Sequence, residues 1–185
     1  MAKDYSEDLL IQKSTAELLE KELGWKSVYA FDNEVLGEHG TLGRKTQSEV
    51  VLTRHLRMAL KRLNTWMTDK QLTEAMERMT SYMSSQTLMQ INEEKYGYLR
   101  DGVPVTRLKP NGETETVRAR VMDFANVDNN DFIAVRELWI KGPVHKRRAD
   151  VVCLVNGLPV IFVELKNHDQ DSIYNYVSQR YGGAA

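Results

Sequence analysis

The spacing of apolar positions changes twice along the chain. From residue 9 to 23 they recur three and four apart in LLIQKSTAELLEKEL, with Asp4 and Glu7 at capping-box spacing ahead and Gly24 behind, which predicts a helix with a glycine stop. Residues 25–40 keep no period, and Trp25, Val28, Tyr29, Phe31, Gly37 and Gly40 read as an irregular connector. A second helix is predicted from Thr46, with Glu49 three residues on and Val50, Val51, Leu52, Leu56, Ala59, Leu60 and Leu63 on its apolar face. A third follows Thr68, with Gln71 in the box position and Leu72, Ala75, Met76, Met79 and Met83 as its stripe. Methionines at that spacing fill cores, which is the reading preferred over a cofactor contact.

After Gly97 the period shortens to two. Residues 98–107 and 114–124 alternate around the turn Lys-Pro-Asn-Gly-Glu (109–113), and Asp-Asn-Asn-Asp (128–131) precedes the strand FIAVRELWI (132–140). Two further strands, ADVVCLV (149–155) and PVIFVELK (159–166), are joined by Asn-Gly-Leu, and DQDSIYNYVSQRY closes the chain in helical pattern. The spacing therefore predicts an α/β domain: a mixed β-sheet flanked by helices, with a helical insertion at 41–95 packed at one side. Residues 1–185 read as one domain, and the closing Gly-Gly-Ala-Ala suggests a piece of something longer.

Composition narrows the class. At 42% hydrophobic and 28% charged the chain is an ordinary globular protein, long enough to bury a core without staples. Cys153 is the single cysteine, which excludes an internal disulfide and a cysteine-based zinc site within one chain. No run of 18 apolar residues predicts a membrane span, and MAKDYSEDLL lacks the layout of a secretory signal, so the expected location is cytoplasmic. Net charge is −1, yet Lys141, His145, Lys146, Arg147 and Arg148 cluster within eight residues. A solvated basic loop and a phosphate-binding surface are both open readings of that cluster.

Chemistry concentrates in RRADVVCLVNGLPVIFVELKN (147–167). One strand opens with Asp150; the next is apolar until Glu164 and Lys166, which period two sends to the same side. A strand as apolar as VIFV is predicted to be central and covered on both faces. Two carboxylates and an ammonium suit phosphodiester hydrolysis, because carboxylates bind Mg²⁺ while waters and phosphate oxygens complete its octahedron. Lys166 would orient or deprotonate the attacking water, or stabilise developing charge. The alternative is an ion pair of structural origin at the end of a strand. A condition separates them. A simple two-residue hairpin at Asn156-Gly157 would turn Glu164 away from Asp150. The carboxylates share a face only where paired positions sum to 314, which requires an odd loop, such as 155–159, or a bulge.

With those residues in place, the sequence resembles the PD-(D/E)xK nucleases, and more narrowly the N-terminal endonuclease region of type I restriction enzyme R (restriction) subunits. The text carrying the resemblance is VNGLPVIFVELKN, with NNDFIAVRELWI upstream and SEDLLIQKSTAELLEKELGW at the start, over nearly the whole chain. It implies a restriction-endonuclease-like fold, Asp150 and Glu164 as ligands of Mg²⁺, and Lys166 as the motif lysine. Glu7 matches an acidic position near such sites, and Gln179 and Tyr181 are the accessory pair it points to. No glutamine stands four residues before Tyr181, however, and Ala149 replaces the motif proline. The implied activity is Mg²⁺-dependent cleavage of double-stranded DNA, in a complex with modification and specificity subunits. The implied parent continues into an ATP-dependent translocase. No GxxxxGK[ST] loop occurs here, so ATP binding is expected of the parent and not of these residues.

The basic run then acquires a position, since Lys146, Arg147 and Arg148 lead directly into Asp150 and become candidate contacts to DNA phosphates. His39, His55, His145 and His168 have no mutual metal-ligand spacing. Two competing readings stay open. One is a repair or recombination nuclease of the same superfamily; the other is a non-catalytic DNA-binding or assembly module on this fold.

Overall fold

The computed structural model describes residues 7–82 and 84–165. Asp4, Met83, Lys166, His168 and the closing segment with Gln179 and Tyr181 lie outside the described residues. The described helices are α1 (Glu7–Leu23), α2 (Thr53–Leu63), α3 (Asp69–Thr80) and α4 (Leu88–Asp101). The strands are β1 (Lys26–Tyr29), β2 (Val103–Leu108), β3 (Thr114–Ala119), β4 (Phe132–Lys141), β5 (Lys146–Val155) and β6 (Leu158–Val163). They form a four-stranded sheet in the order β1-β4-β5-β6 and a separate hairpin, β2-β3. β1 runs parallel to β4, and the other neighbours are antiparallel. The architecture is the mixed α/β sheet with helices that the hydrophobic pattern predicts.

Local signals place several ends. Gly24, at φ +68, donates its N–H to Glu20 O at 3.1 Å and stops α1 with a left-handed cap. α3 opens with the predicted box: Thr68 Oγ1 accepts from Gln71 N, and Gln71 Oε1 accepts from Thr68 N at 2.9 Å. Its stripe of Leu72, Ala75, Met76 and Met79 is buried. Thr87 and Gln90 repeat the device on α4, a helix the pattern does not separate. α4 runs through Gly97 to Asp101, so strand alternation begins at Val103 and not at residue 98.

Two expectations fail for reasons of tertiary bonding. The second helix starts at Thr53 and not at Thr46. Arg44 Nη1 takes the Gln47 and Glu49 carbonyls at 3.4 and 3.3 Å, Lys141 N–H also takes that of Gln47, and Leu52 N–H donates to Gly157 O at 2.8 Å. Backbone groups engaged this way cannot enter a helical ladder. The connector at 25–40 contains β1, a strand of four residues whose order comes from pairing with Ile133–Arg136 of β4.

A third correction concerns β6. It is the edge strand of the sheet, and Val160, Ile161 and Phe162 are 40%, 51% and 56% exposed. The interior strands are β4 and β5, and on β5 Val151 to Leu154 are almost inaccessible. Apolar content marks strand character but not rank within the sheet.

Everything from α2 to β3 lies between β1 and β4 in the chain, and the inserted helices carry the β2-β3 hairpin with them. They share a core of Leu56, Leu60, Leu72, Ala75, Val103, Val105, Ala119 and Val121, which Leu158 of β6 closes. The sheet has its own core, in which Ile133, Val135, Leu138, Val152 and Leu154 pack with Leu42 and Leu52. On its other face Ala134, Val151 and Cys153 meet Leu19 of α1 and Trp25.

Candidate active site

The register of β5 against β6 decides whether the two carboxylates can meet. Next to the turn Val155 pairs Leu158 and Leu154 pairs Pro159, as in a plain two-residue hairpin. A bulge follows, and beyond it Cys153 pairs Ile161, Val152 pairs Phe162 and Val151 pairs Val163. Those pairs sum to 314, the register that the shared-face condition requires. Continued one step beyond Val151 and Val163, that register would set Asp150 across from Glu164, and cross-strand partners share a face. The bulge supplies the odd residue, so the five-residue loop is not needed and Pro159 sits inside the strand.

The turn from which the hairpin starts is anchored elsewhere. Asn156 (φ 53) and Gly157 (φ 80) adopt the left-handed pair of a tight hairpin. A Cβ on Gly157 would lie 2.5 Å from Leu52 O, so the position excludes side chains by space as well as by backbone. Asn156 is wholly buried. Its Nδ2 donates to Val121 O and Asn130 Oδ1, both at 2.8 Å, and its Oδ1 accepts from Asp131 N at 2.8 Å and from Arg62 Nη2 at 3.2 Å. Asn130 Oδ1 also accepts from Asp123 N, and Asp123 accepts from Ala125 N, Asn126 N and Asn129 Nδ2. These donors, led by Asn129, hold the Asp123 carboxyl below its ordinary value.

At the other end of the hairpin, β6 stops at Val163, and Glu164 is an exposed residue just beyond it. Asp150 is half-buried, and its Oδ2 accepts the Leu165 N–H at 2.7 Å. That bond ties the first carboxylate to the segment carrying the second. Lys166 would follow and lies outside the described residues; Glu7 opens α1, and its side chain is not described. Among the described residues, no three carboxylate, histidine or cysteine side chains gather closely enough to hold a metal. A pair of carboxylates suits Mg²⁺, which keeps most of its waters, better than it suits zinc, which wants a closed set of protein ligands.

The basic run divides. It lies on the β4–β5 turn and the outer half of β5, where Lys146 and Arg148 gather at Trp139, with cation–ring distances of 4.1 and 5.9 Å. Arg148 is also 5.1 Å from the Phe31 ring. Arg147 pairs with Ile140 and lines a shallow depression with Pro143, Val144 and His145. The three cations therefore do not form one continuous patch.

A residue the motif reading passes over is Glu137. The β4–β5 ladder holds Arg136 against Val151 and Leu138 against Ala149, and it skips the rung between, at the level of Glu137 and Asp150. Glu137 has φ 58, a left-handed conformation that costs a non-glycine residue on the order of 1–3 kcal/mol. It is 4% exposed and ion-paired with Arg148. Its backbone turn brings Leu138 and Ile140 into the same core as Ile133 and Val135, a step of three where a regular strand would step by two. A lone glutamate in an apolar strand was the available signal.

His55 is half-buried on α2; burial, then its neighbour Arg54, lower its pKa, and no described metal partner joins it. Burial raises the Cys153 thiol, which fits a small core residue and not a nucleophile.

The four-stranded mixed sheet, its helices and the small hairpin make an α/β architecture consistent with a nuclease-like fold. Residues 4–182 match the family described as Type I restriction enzyme R protein N terminus, and the chain belongs to that family. It is 33% identical over 163 residues to the type I restriction enzyme HindI endonuclease subunit of Haemophilus influenzae, covering 88% of this chain. It is 25% identical over 165 residues to a Methanocaldococcus jannaschii protein named for the type I restriction enzyme MjaIXP endonuclease subunit, again covering 88% of this chain. The chain spans about 15% of the length of each relative.

Proposed function

We propose that this chain is the Mg²⁺-dependent DNA endonuclease domain of a type I restriction enzyme R subunit, a PD-(D/E)xK site hydrolysing phosphodiester bonds of double-stranded DNA. The observation that carries the reading is the bulged register of β5 against β6, which continued one step past Val151 and Val163 would set Asp150 opposite Glu164, in a chain of this family. Asp150 and Glu164 would hold Mg²⁺, which when bound supplies Lewis acidity and lowers the pKa of a coordinated water. Asp150 keeps one oxygen on the Leu165 N–H, which fixes its orientation, and presents the other to the site. Lys166 in this reading orients the attacking water or meets developing negative charge. Lys146, Arg147 and Arg148 neutralise phosphates, and Glu7, Gln179 and Tyr181 are accessory.

Residues 1–185 act as one nuclease domain with 41–95 inserted in it. The rest of the parent supplies the ATP-driven translocase and, in the cytoplasm, the contacts to modification and specificity subunits. The test is nicking of supercoiled plasmid by the full-length subunit in its reconstituted complex. Asp150→Ala, Glu164→Ala and Lys166→Ala are each expected to abolish cutting while ATP hydrolysis continues. Cutting at the unsubstituted rate by all three would reject the site, and would favour a non-catalytic DNA-binding module.

A further inference from the structure

Glu137 is a buried acid that the proposed reaction leaves without a task. The residue is unfavourable twice over at its position. Its carboxylate is out of water, and its backbone sits where glycine or asparagine is at home. A buried ion pair is poor evidence of a stability role, since apolar side chains of similar size commonly do as well. Nor is the carboxylate needed to pack its partner, because the Arg148 guanidinium already lies over the Phe31 and Trp139 rings. What the carboxylate adds is a fixed negative charge on one side of the guanidinium. It meets Arg148 at Nε, in an ion pair whose angles fall outside those of a hydrogen bond, and a guanidinium carries four N–H donors besides that one. The Arg148 side chain remains 40% exposed. Arg148 is two residues before Asp150 on β5, about 7 Å along the strand, which is close to the separation of neighbouring phosphates.

We propose that Glu137 is a positioning residue. It holds the Arg148 guanidinium so that its outer donors take a backbone phosphate of duplex DNA beside the Asp150 carboxylate. The skipped rung at Glu137 then has a purpose: it sends an acid from β4 toward Arg148 at the level of the site, where a regular ladder would place a rung. This assignment rests on the proposed DNA-cleaving function, and it concerns how DNA is held and not which groups hold the metal.

The experiment is binding of linear duplex DNA by the 185-residue chain, without divalent metal, followed by fluorescence anisotropy over a range of NaCl concentrations. Each phosphate neutralised contributes about 0.9 to the slope of log affinity against log salt. Arg148→Ala is expected to lower the slope by about one phosphate. Glu137→Gln is expected to lower it by the same amount although Arg148 keeps its charge, and the double variant should lower it no further. Glu137→Asn, which suits the left-handed backbone, repeats the test where Gln disturbs folding, and thermal melts report stability for each. A Glu137 variant that melts lower but keeps the full slope would make the residue structural and overturn the proposal. An unchanged slope in Arg148→Ala would overturn it equally, while leaving the Asp150–Glu164 reading to the plasmid assay. A chain that binds no duplex at any salt concentration would overturn this proposal, and loss of plasmid cutting in the Asp150 and Glu164 variants would still stand as evidence for the site.

Discussion

The β5–β6 hairpin has two ends that treat polar groups in opposite ways. At its turn, Asn156 is removed from water and its side chain makes four hydrogen bonds, drawing in Asp131, Arg62, Val121 and Asn130. At its open end, Glu164 is exposed and Asp150 half-buried, with one carboxylate oxygen on a backbone N–H. Polar groups satisfied inside the protein set geometry; polar groups left toward solvent are available to a ligand. The anchored turn and the bulge that follows it thus set the register that Glu164 inherits. A site of this kind is built as much by its remote anchor as by its acids.

The comparison is most sharply broken by changing length. One alanine inserted after Phe162 should turn Glu164 to the opposite face and abolish plasmid cutting, a loss of about a thousandfold or more, with the melting temperature little changed. Deletion of Val160 should instead remove the bulge while keeping Asp150 opposite Glu164, and so retain cutting. If the deletion abolished cutting and the insertion spared it, the register argument would be wrong.

At the turn the expected losses are of stability. Gly157→Ala forces a Cβ against Leu52 O at an unsuitable φ and should cost about 3 kcal/mol in denaturant unfolding. Asp123 belongs to the same network and makes it sensitive to acid. Its folded pKa lies below the ordinary aspartate value, so its contribution is complete above that ordinary value and is lost as pH falls through the folded one. Asp123→Asn should therefore differ most from the parent chain at neutral pH, and the gap should narrow in melts taken below about pH 4. The smallest effect belongs to the open end, where Glu164→Ala should move stability by no more than about 0.5 kcal/mol. A large loss there would mean that Glu164 is structural.

Much of this was legible in the chain. The Thr68–Gln71 box marked α3, Gly24 marked the end of α1, and the need for an odd residue between the paired strands followed from residue numbers alone. What escaped depended on partners far away in sequence. β1 is a strand because β4 lies beside it, and α2 begins late because Arg44, Lys141 and Gly157 claim the groups ahead of it. Arg44 itself is wholly buried against Glu34, at 2.5 and 2.6 Å, and donates to Trp139 O, which no local pattern announces. β6 read as central because its composition resembles that of β5. Glu137 was passed over because the three-residue step it introduces sits in a strand whose residues are mostly apolar on both faces.

Cys153 offers a clock. The only thiol in the chain sits 2% exposed in the innermost strand, between the Ala134 and Ile161 backbones. An alkylating reagent can reach it only when the sheet parts, so its labelling rate reads out how often that happens, with no probe added to the protein.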